Sequence, residues 1–274
     1  NNINRLKITE LSAQKKLEQF RKKNKNYISP SFNTISGSGP NGAIVHYRAN
    51  NKTNRKIKMK DIYLCDSGGQ YHYGTTDVTR TICFYKQSQR IKNIFTKVLK
   101  GHIGVATYKL KKNTTGKQLD IVARSALKKS GLDYAHGTGH GVGYFLNVHE
   151  GPQAISKINN IQLKEGMILS NEPGYYEFNK FGIRIENLVF IKKYNNKLRF
   201  QNLTFVPIEK DLINFKLLNQ REKKYLSEYS KKIYFTLSPH LNKHEKNWLR
   251  SFIYWQFYSN LFRLIFLHLS FLLH

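Results

Sequence analysis

The sequence is poor in cysteine and in acidic residues, and each shortage excludes something. Cys65 and Cys83 are the only thiols in 274 residues, too few for a disulfide framework; a reducing compartment, the cytoplasm, is expected. Only 17 residues are acidic against 46 basic ones, so carboxylates that gather in one place carry information. The charge of +29 would ordinarily raise nucleic-acid binding. Here the lysines are scattered and run with asparagine, as in Asn50-Asn51-Lys52 and Asn195-Asn196-Lys197. Solvated faces explain that drift, and no specific nucleic-acid partner is expected. No Gly-Lys-Ser/Thr follows Gly37-Ser38-Gly39, which argues against a phosphate loop there. No repeat at a solenoid period is present. The most apolar stretch, residues 252–274, is interrupted by Gln256, Asn260, Arg263 and His268. A membrane span needs about 20 mostly apolar residues, and a central Arg is costly in one. A packed or dimer-forming helix, or a tail that is not native sequence, is therefore favoured over membrane contact. The chain begins with Asn1 rather than Met, as expected of a fragment or a processed form, and no signal peptide is legible at that end.

What is present describes a folded chain with 40% hydrophobic and 13% aromatic residues, long enough for one large domain or two small ones. Thr9 to about Asn24 reads as a basic amphipathic helix with Leu11, Leu17 and Phe20 on a helical period. Short strands are expected at Thr34–Ile35, Ala43–Tyr47, Ile62–Cys65 and Thr79–Phe84, punctuated by Gly and Asn. Helices follow at about Gln87–Tyr108 and Gly116–Ser130, the second stopped by Gly131. Strands return at Met167–Ser170, Phe181–Ile191 and Leu198–Val206. Strands, helices, then strands again make an α+β fold rather than a repeating βαβ protein.

Five residues stand out as a constellation. Asp66 ends the apolar run Ile62-Tyr63-Leu64-Cys65, and Asp77 lies on what reads as the return strand of a hairpin. A carboxylate at the mouth of a buried strand needs a partner, and two that face each other repel unless protons or cations intervene. His140 lies in the glycine-rich run His136-Gly137-Thr138-Gly139-His140-Gly141-Val142-Gly143, Glu172 precedes Pro173-Gly174, and Glu186 ends Gly182-Ile183-Arg184-Ile185-Glu186. In a strand Arg184 and Glu186 point to the same face. Four carboxylates and one imidazole make a hard, oxygen-rich set whose charge matches two divalent cations, with Mn2+ or a similar first-row ion favoured over structural zinc.

Longer motifs carry a resemblance. Ser29-Pro30-Ser31-Phe32, the run Thr34 to Tyr47 (Thr-Ile-Ser-Gly-Ser-Gly-Pro-Asn-Gly-Ala-Ile-Val-His-Tyr), and Leu64-Cys65-Asp66-Ser67-Gly68-Gly69 resemble the eukaryotic cytosolic-type X-prolyl aminopeptidases (aminopeptidase P) of the pita-bread metallopeptidases. So do Gly74-Thr75-Thr76-Asp77-Val78-Thr79-Arg80-Thr81, the His136 to Gly143 run, Asn147-Val148-His149-Glu150-Gly151-Pro152-Gln153, Ser170-Asn171-Glu172-Pro173-Gly174-Tyr175-Tyr176 and Phe181 to Asn187. The likeness covers about residues 9–250. It implies a pita-bread fold with two related α-β halves around a dinuclear site. The catalytic domain would occupy residues 1–206 and a helical or dimerisation extension 207–250, ahead of the apolar tail 251–274.

The resemblance also implies roles. Asp66 would hold one metal, His140 and Glu172 the other, and Asp77 and Glu186 would serve both. His46, His136 and His149 match the family's non-ligand histidines, which bind substrate and stabilise the tetrahedral intermediate or move protons. Arg184 matches the arginine that orients the acidic cluster. The implied reaction is hydrolysis of the N-terminal X-Pro bond of peptides with proline second, through a hydroxide bridging two Mn2+ ions, with Glu172 taking its proton; a homodimer is also implied. Tyr73 and Cys83 depart from the family's usual Asp and His, but neither position matches a ligand. The family's N-terminal domains have no counterpart in these residues. A proline dipeptidase of the same fold would share the ligands, whereas pita-bread binding modules have lost them.

Overall fold

A computed structural model describes residues 7–253. Helix α1 (Glu10–Arg21) is capped by Thr9 and leads to β1 (Tyr27–Pro30), β2 (Ile35–Ser38), β3 (Ile62–Ser67), β4 (Gly69–Tyr71), β5 (Gly74–Thr75) and β6 (Val78–Cys83). The long helices α2 (Gln89–Ala106) and α3 (Gly116–Lys128) follow, then β7 (Gly139–His140), β8 (Ala154–Ile155), β9 (Ile168–Asn171), β10 (Gly174–Glu177), β11 (Phe181–Arg184), β12 (Asn187–Tyr194) and β13 (Lys197–Asn202), and finally α4 (Gln220–Leu237) and α5 (Lys243–Phe252). All strand pairings are antiparallel, in small sheets ordered β2-β3-β6, β1-β4-β5, β13-β12-β9, β10-β11 and β7-β8. The α+β arrangement is the expected one.

The core lies around α2. Ser88 caps this helix by accepting from Ile91 N, and Ile94, Phe95, Val98, Leu99 and Ile103 recur at helical spacing with 4% exposure or less. They meet Ile183 and Ile185 together with Leu226, Tyr229 and Ile233 of α4 and Leu249 of α5. A second cluster joins Leu119 and Ala123 of α3 to Leu169, Val189 and Ile191. The two helices touch at Gly101, where a Cβ would stand 2.1 Å from the Ala123 carbonyl oxygen; only glycine permits that approach. Gly131 ends the α3 turn with φ +69°, as expected of a C-terminal stop.

Three expectations need correction. The face of α1 that is fully buried is Glu10, while Leu11 and Leu17 are only partly covered and Phe20 is exposed between Lys16 and Lys23. The Glu10 carboxylate accepts from Ser38 N (2.7 Å), Tyr47 Oη (2.9 Å) and Arg55 N (2.8 Å), so hydrogen bonds to a buried anion, not an apolar stripe, seat the helix. The same anion explains why Ala43–Tyr47 is no strand. Gly39–Ala43 forms a 3-10 turn with Pro40 in it, and Tyr47 is drawn inward to Glu10. Lastly, Phe181–Ile191 is two strands, because Glu186 N–H leaves the ladder to bond Thr79 O at 3.1 Å. β11 pairs with β10, and β12 pairs with β9. Among the described residues no helix is long and apolar enough to cross a membrane; the expectations for residues 254–274 lie outside them.

Candidate metal centre

The breaks between strands collect the acidic residues. Asp66 sits on β3 opposite Thr79 of β6, and Asp77 comes two residues before Thr79, so both carboxylates leave the hairpin on one face. Glu172 follows β9, Glu186 occupies the step between β11 and β12, and His140 is on β7. All five line one pocket of about 580 Å3, with His46, His136, His149 and Arg184. Every residue singled out in the sequence is thus brought to one place.

Ligand atoms of Asp77, His140 and Glu186 lie within 4.8 Å of one another. His140 Nε2 is 3.2 Å from Glu172 Oε1 and 3.5 Å from Asp77 Oδ2. Its Nδ1 stands 2.9 Å from Gly141 O, a bond that fixes Nδ1 as the protonated nitrogen when the ring is neutral and turns the Nε2 lone pair to the carboxylates. Arg184 Nη2 donates to Asp66 Oδ2 at 2.6 Å, Nη1 to Tyr176 Oη at 2.6 Å and Nε to Thr79 Oγ1 at 3.1 Å. Tyr176 Oη is in turn 2.9 Å from His136 Nε2, and His136 Nδ1 is 2.6 Å from Gly137 O. A chain therefore runs Asp66–Arg184–Tyr176–His136. The His149 ring packs 4.0 Å from that of His140, and His46 stands exposed on the pocket wall.

The electrostatics show an imbalance of charge. Burial, and then the charges of Glu186, Asp66 and Glu172, hold Asp77 well above the ordinary carboxylate range. Burial with Glu172 and Asp66 pushes Glu186 up to about 8. Burial would raise Glu172 too, but the His140 hydrogen bond and charge, with His136 and Arg184, bring it down to about 2. His140 opposes its own burial through Glu172 and Glu186 and rises to about 9. Asp66 Oδ1 and Asp77 Oδ1 are buried and have no hydrogen-bond partner. Orphaned carboxylate oxygens inside a ring of like charge are what divalent cations would neutralise, so these residues fit a hard metal ion.

Several supporting residues lie in the motifs quoted above but receive no role from the sequence. Thr79 Oγ1 donates to Glu186 Oε2 at 2.8 Å, and Ser170 Oγ donates to Glu172 Oε1 at 2.9 Å while accepting from His140 N. Thr79 was findable as the next residue on Asp77's face of the strand. Tyr176 and Ser170 stand in a run that carries the resemblance, but their role depends on cross-strand register, which the sequence does not show. Gly139 is required beside them, since a Cβ there would stand 2.0 Å from Ser170 O.

Comparisons with known proteins identify the family. A family model for metallopeptidase family M24 matches residues 2–193, and one for the C-terminal region of that peptidase matches 196–252. A Laccaria bicolor protein named "Probable Xaa-Pro aminopeptidase P" is 48% identical over 89% of this chain and 40% of its own length. The solved X-prolyl aminopeptidase of Caenorhabditis elegans, described as a cytosolic enzyme with a di-nuclear active site, is 38% identical and superposes with a TM-score of 0.85 over 89% of this chain and 42% of that one. The prolidase of Pyrococcus furiosus is 34% identical with a TM-score of 0.64, over 71% and 55%. The chain spans about 40% of the length of the curated relative. With its pita-bread fold, its paired strand breaks and its matched motifs, the chain belongs to metallopeptidase family M24.

Proposed function

We propose that this chain is the catalytic unit of an aminopeptidase that hydrolyses the N-terminal X-Pro bond of peptides, with Asp66, Asp77, His140, Glu172 and Glu186 holding two divalent cations, Mn2+ foremost. The observation that carries the proposal is the convergence of four carboxylates and His140 on one pocket in which two buried carboxylate oxygens lack partners. The relatives' names support an X-Pro specificity, and the greater likeness to an aminopeptidase than to a prolidase favours it over a dipeptidase. Cations bound there would supply a shared, deprotonated water as nucleophile and polarise the scissile carbonyl.

The chain's own residues do the rest. Glu172, whose Oε1 is held by Ser170 Oγ at 2.9 Å, accepts the nucleophile's proton at a carboxylate oxygen. His149, beside His140, donates to the developing oxyanion. His136, oriented by Tyr176, and His46 on the pocket wall hold the peptide. Arg184 fixes the Asp66 carboxylate and, through Tyr176, the His136 ring. Phe32, Ile35, Val45 and Val148 add apolar lining to the pocket, suited to a proline ring, whose nitrogen has no N–H to recognise. In the same proposal residues 1–206 form the catalytic unit, 207–250 a helical and dimerisation extension, and the protein works in the cytoplasm. The test is release of the first residue from an Arg-Pro-Pro peptide with and without Mn2+, beside Ala-Ala-Ala and an X-Pro dipeptide. Metal-dependent cleavage of the proline tripeptide alone is the expected result. Cleavage of the dipeptide alone would assign a proline dipeptidase, and cleavage of neither would overturn the proposal.

A further inference from the structure

Helix α3 buries more than its apolar stripe. Beside Leu119, Ala123 and Leu127, the charged Asp120 and Arg124 are exposed by only 1 and 2%, one turn apart and joined by Arg124 Nε to Asp120 Oδ2 at 2.7 Å. A buried ion pair gains little net stability, because desolvation offsets the attraction. What distinguishes this one is where its remaining bonds go. Arg124 Nη1 donates to Tyr134 O at 2.6 Å and Asp133 Oδ1 at 2.7 Å, and Nη2 donates to His136 O at 2.6 Å. The guanidinium also lies 3.9 Å from the Tyr134 ring centre. Asp120 Oδ1 accepts from Thr138 Oγ1 at 2.7 Å, and Thr138 O accepts from Glu172 N at 2.8 Å. Residues 133–138 lie outside every helix and strand. One turn of α3 thus bonds to four residues of this segment: Asp133, Tyr134, His136 and Thr138.

We propose that Asp120 and Arg124 are positioning residues: from outside the pocket they set where the His136 ring and the Glu172 carboxylate stand. Arg124 grips the His136 carbonyl, and Asp120 reaches Glu172 through the hydroxyl and carbonyl of Thr138. Neither residue lines the pocket. The planar fork of Arg124 satisfies carboxylates and carbonyls in fixed directions, which lysine cannot imitate. The catalytic consequence rests on the peptidase reading; the structural one does not.

The experiment compares the wild-type chain with Thr138→Val, which deletes the hydroxyl at nearly constant shape, Thr138→Ser, which keeps it, and Arg124→Lys. Residue-resolved amide exchange on the metal-free chains is measured beside kcat and KM on the Mn2+-loaded ones. In Thr138→Val and Arg124→Lys the amides of residues 133–140 and Glu172 should exchange about tenfold faster while the α2 core is unchanged. The kcat should fall about 10- to 100-fold, the effect of small misplacement. Thr138→Ser should restore both. Unchanged exchange at Glu172 in Thr138→Val, or acceleration spread evenly over the core, overturns the proposal. If the wild type cleaves no X-Pro peptide, the peptidase reading falls alone and the exchange pattern decides this one.

Discussion

Substituting Gly139 by alanine tests the metal centre through packing alone. The added Cβ would stand 2.0 Å from Ser170 O, 2.8 Å from its carbonyl carbon and 3.2 Å from its Oγ. Relief needs β7 and β9 to separate by roughly 1.5 Å to restore an ordinary contact. Ser170 cannot move alone, since its Oγ joins His140 N to Glu172 Oε1. The opening would widen the 3.2 Å approach of His140 Nε2 to Glu172. Overpacking of this kind costs about 1–3 kcal/mol, and a displacement near 1 Å at reacting groups costs about 100-fold in rate. Calorimetric titration of Mn2+ should show weakened binding with a lowered melting temperature, and kcat should drop about 100-fold. Gly131→Ala is the control. At φ +69° with nothing within 4 Å of its Cβ, it should lose about 1–2 kcal/mol to backbone strain and keep metal affinity. Wild-type metal affinity and melting in Gly139→Ala would refute the packing argument.

Other perturbations follow from the buried polar groups. Glu186 rises from 4.5 to about 8 in the folded, metal-free chain, so its contribution is full below pH 4.5 and is lost as pH rises through about 8. With chelator, the unfolding free energy from urea titrations should fall between pH 5 and 8.5 by roughly a few kcal/mol, and Glu186→Gln should flatten that slope while impairing metal binding. His102 is fully buried, and burial, then the Arg80 charge, lowers it to about 3. It should stay neutral at pH 5 in nitrogen-15 spectra, and the stability that its neutrality lends should decline from pH 6.5 towards 3 as the unfolded chain takes up the proton; an imidazolium signal at pH 5 would contradict this. Tyr229 Oη donates to Val206 O at 2.9 Å and accepts from Arg80 at 3.1 Å. Tyr229→Phe should cost about 1–3 kcal/mol in urea denaturation with Mn2+ affinity intact.

The sequence made the helices and the nine named site residues legible for different reasons. α2 and α3 announce themselves by apolar periodicity and capping residues, and both form within two residues of the expected bounds. Asp66, Asp77, Glu172 and Glu186 announced themselves because acids are scarce here and each lies in or at the end of a strand-like or glycine-containing run, and His140 by its glycine-rich surroundings. What stayed illegible depends on long-range partners. Nothing local says that Glu10 will reach Tyr47 and Arg55 and turn an apparent strand into a loop. Nothing local says that Glu186 N–H will leave its ladder for Thr79. Leu11, Leu17 and Phe20 kept a helical period without a core to face, so periodicity alone misled on α1. Nothing in the i,i+4 spacing of Asp120 and Arg124 says that the fold will bury them against the 133–138 segment.

The most direct measurement is a Mn2+ titration of the metal-free chain, with stoichiometry read by calorimetry and by metal analysis of the desalted protein. Two ions per chain are predicted for the wild type, and at most one for Asp77→Ala, since that carboxylate is proposed to serve both. A wild-type chain that binds one ion or none, or an Asp77→Ala chain that still binds two, would contradict the dinuclear centre on which the proposed chemistry stands.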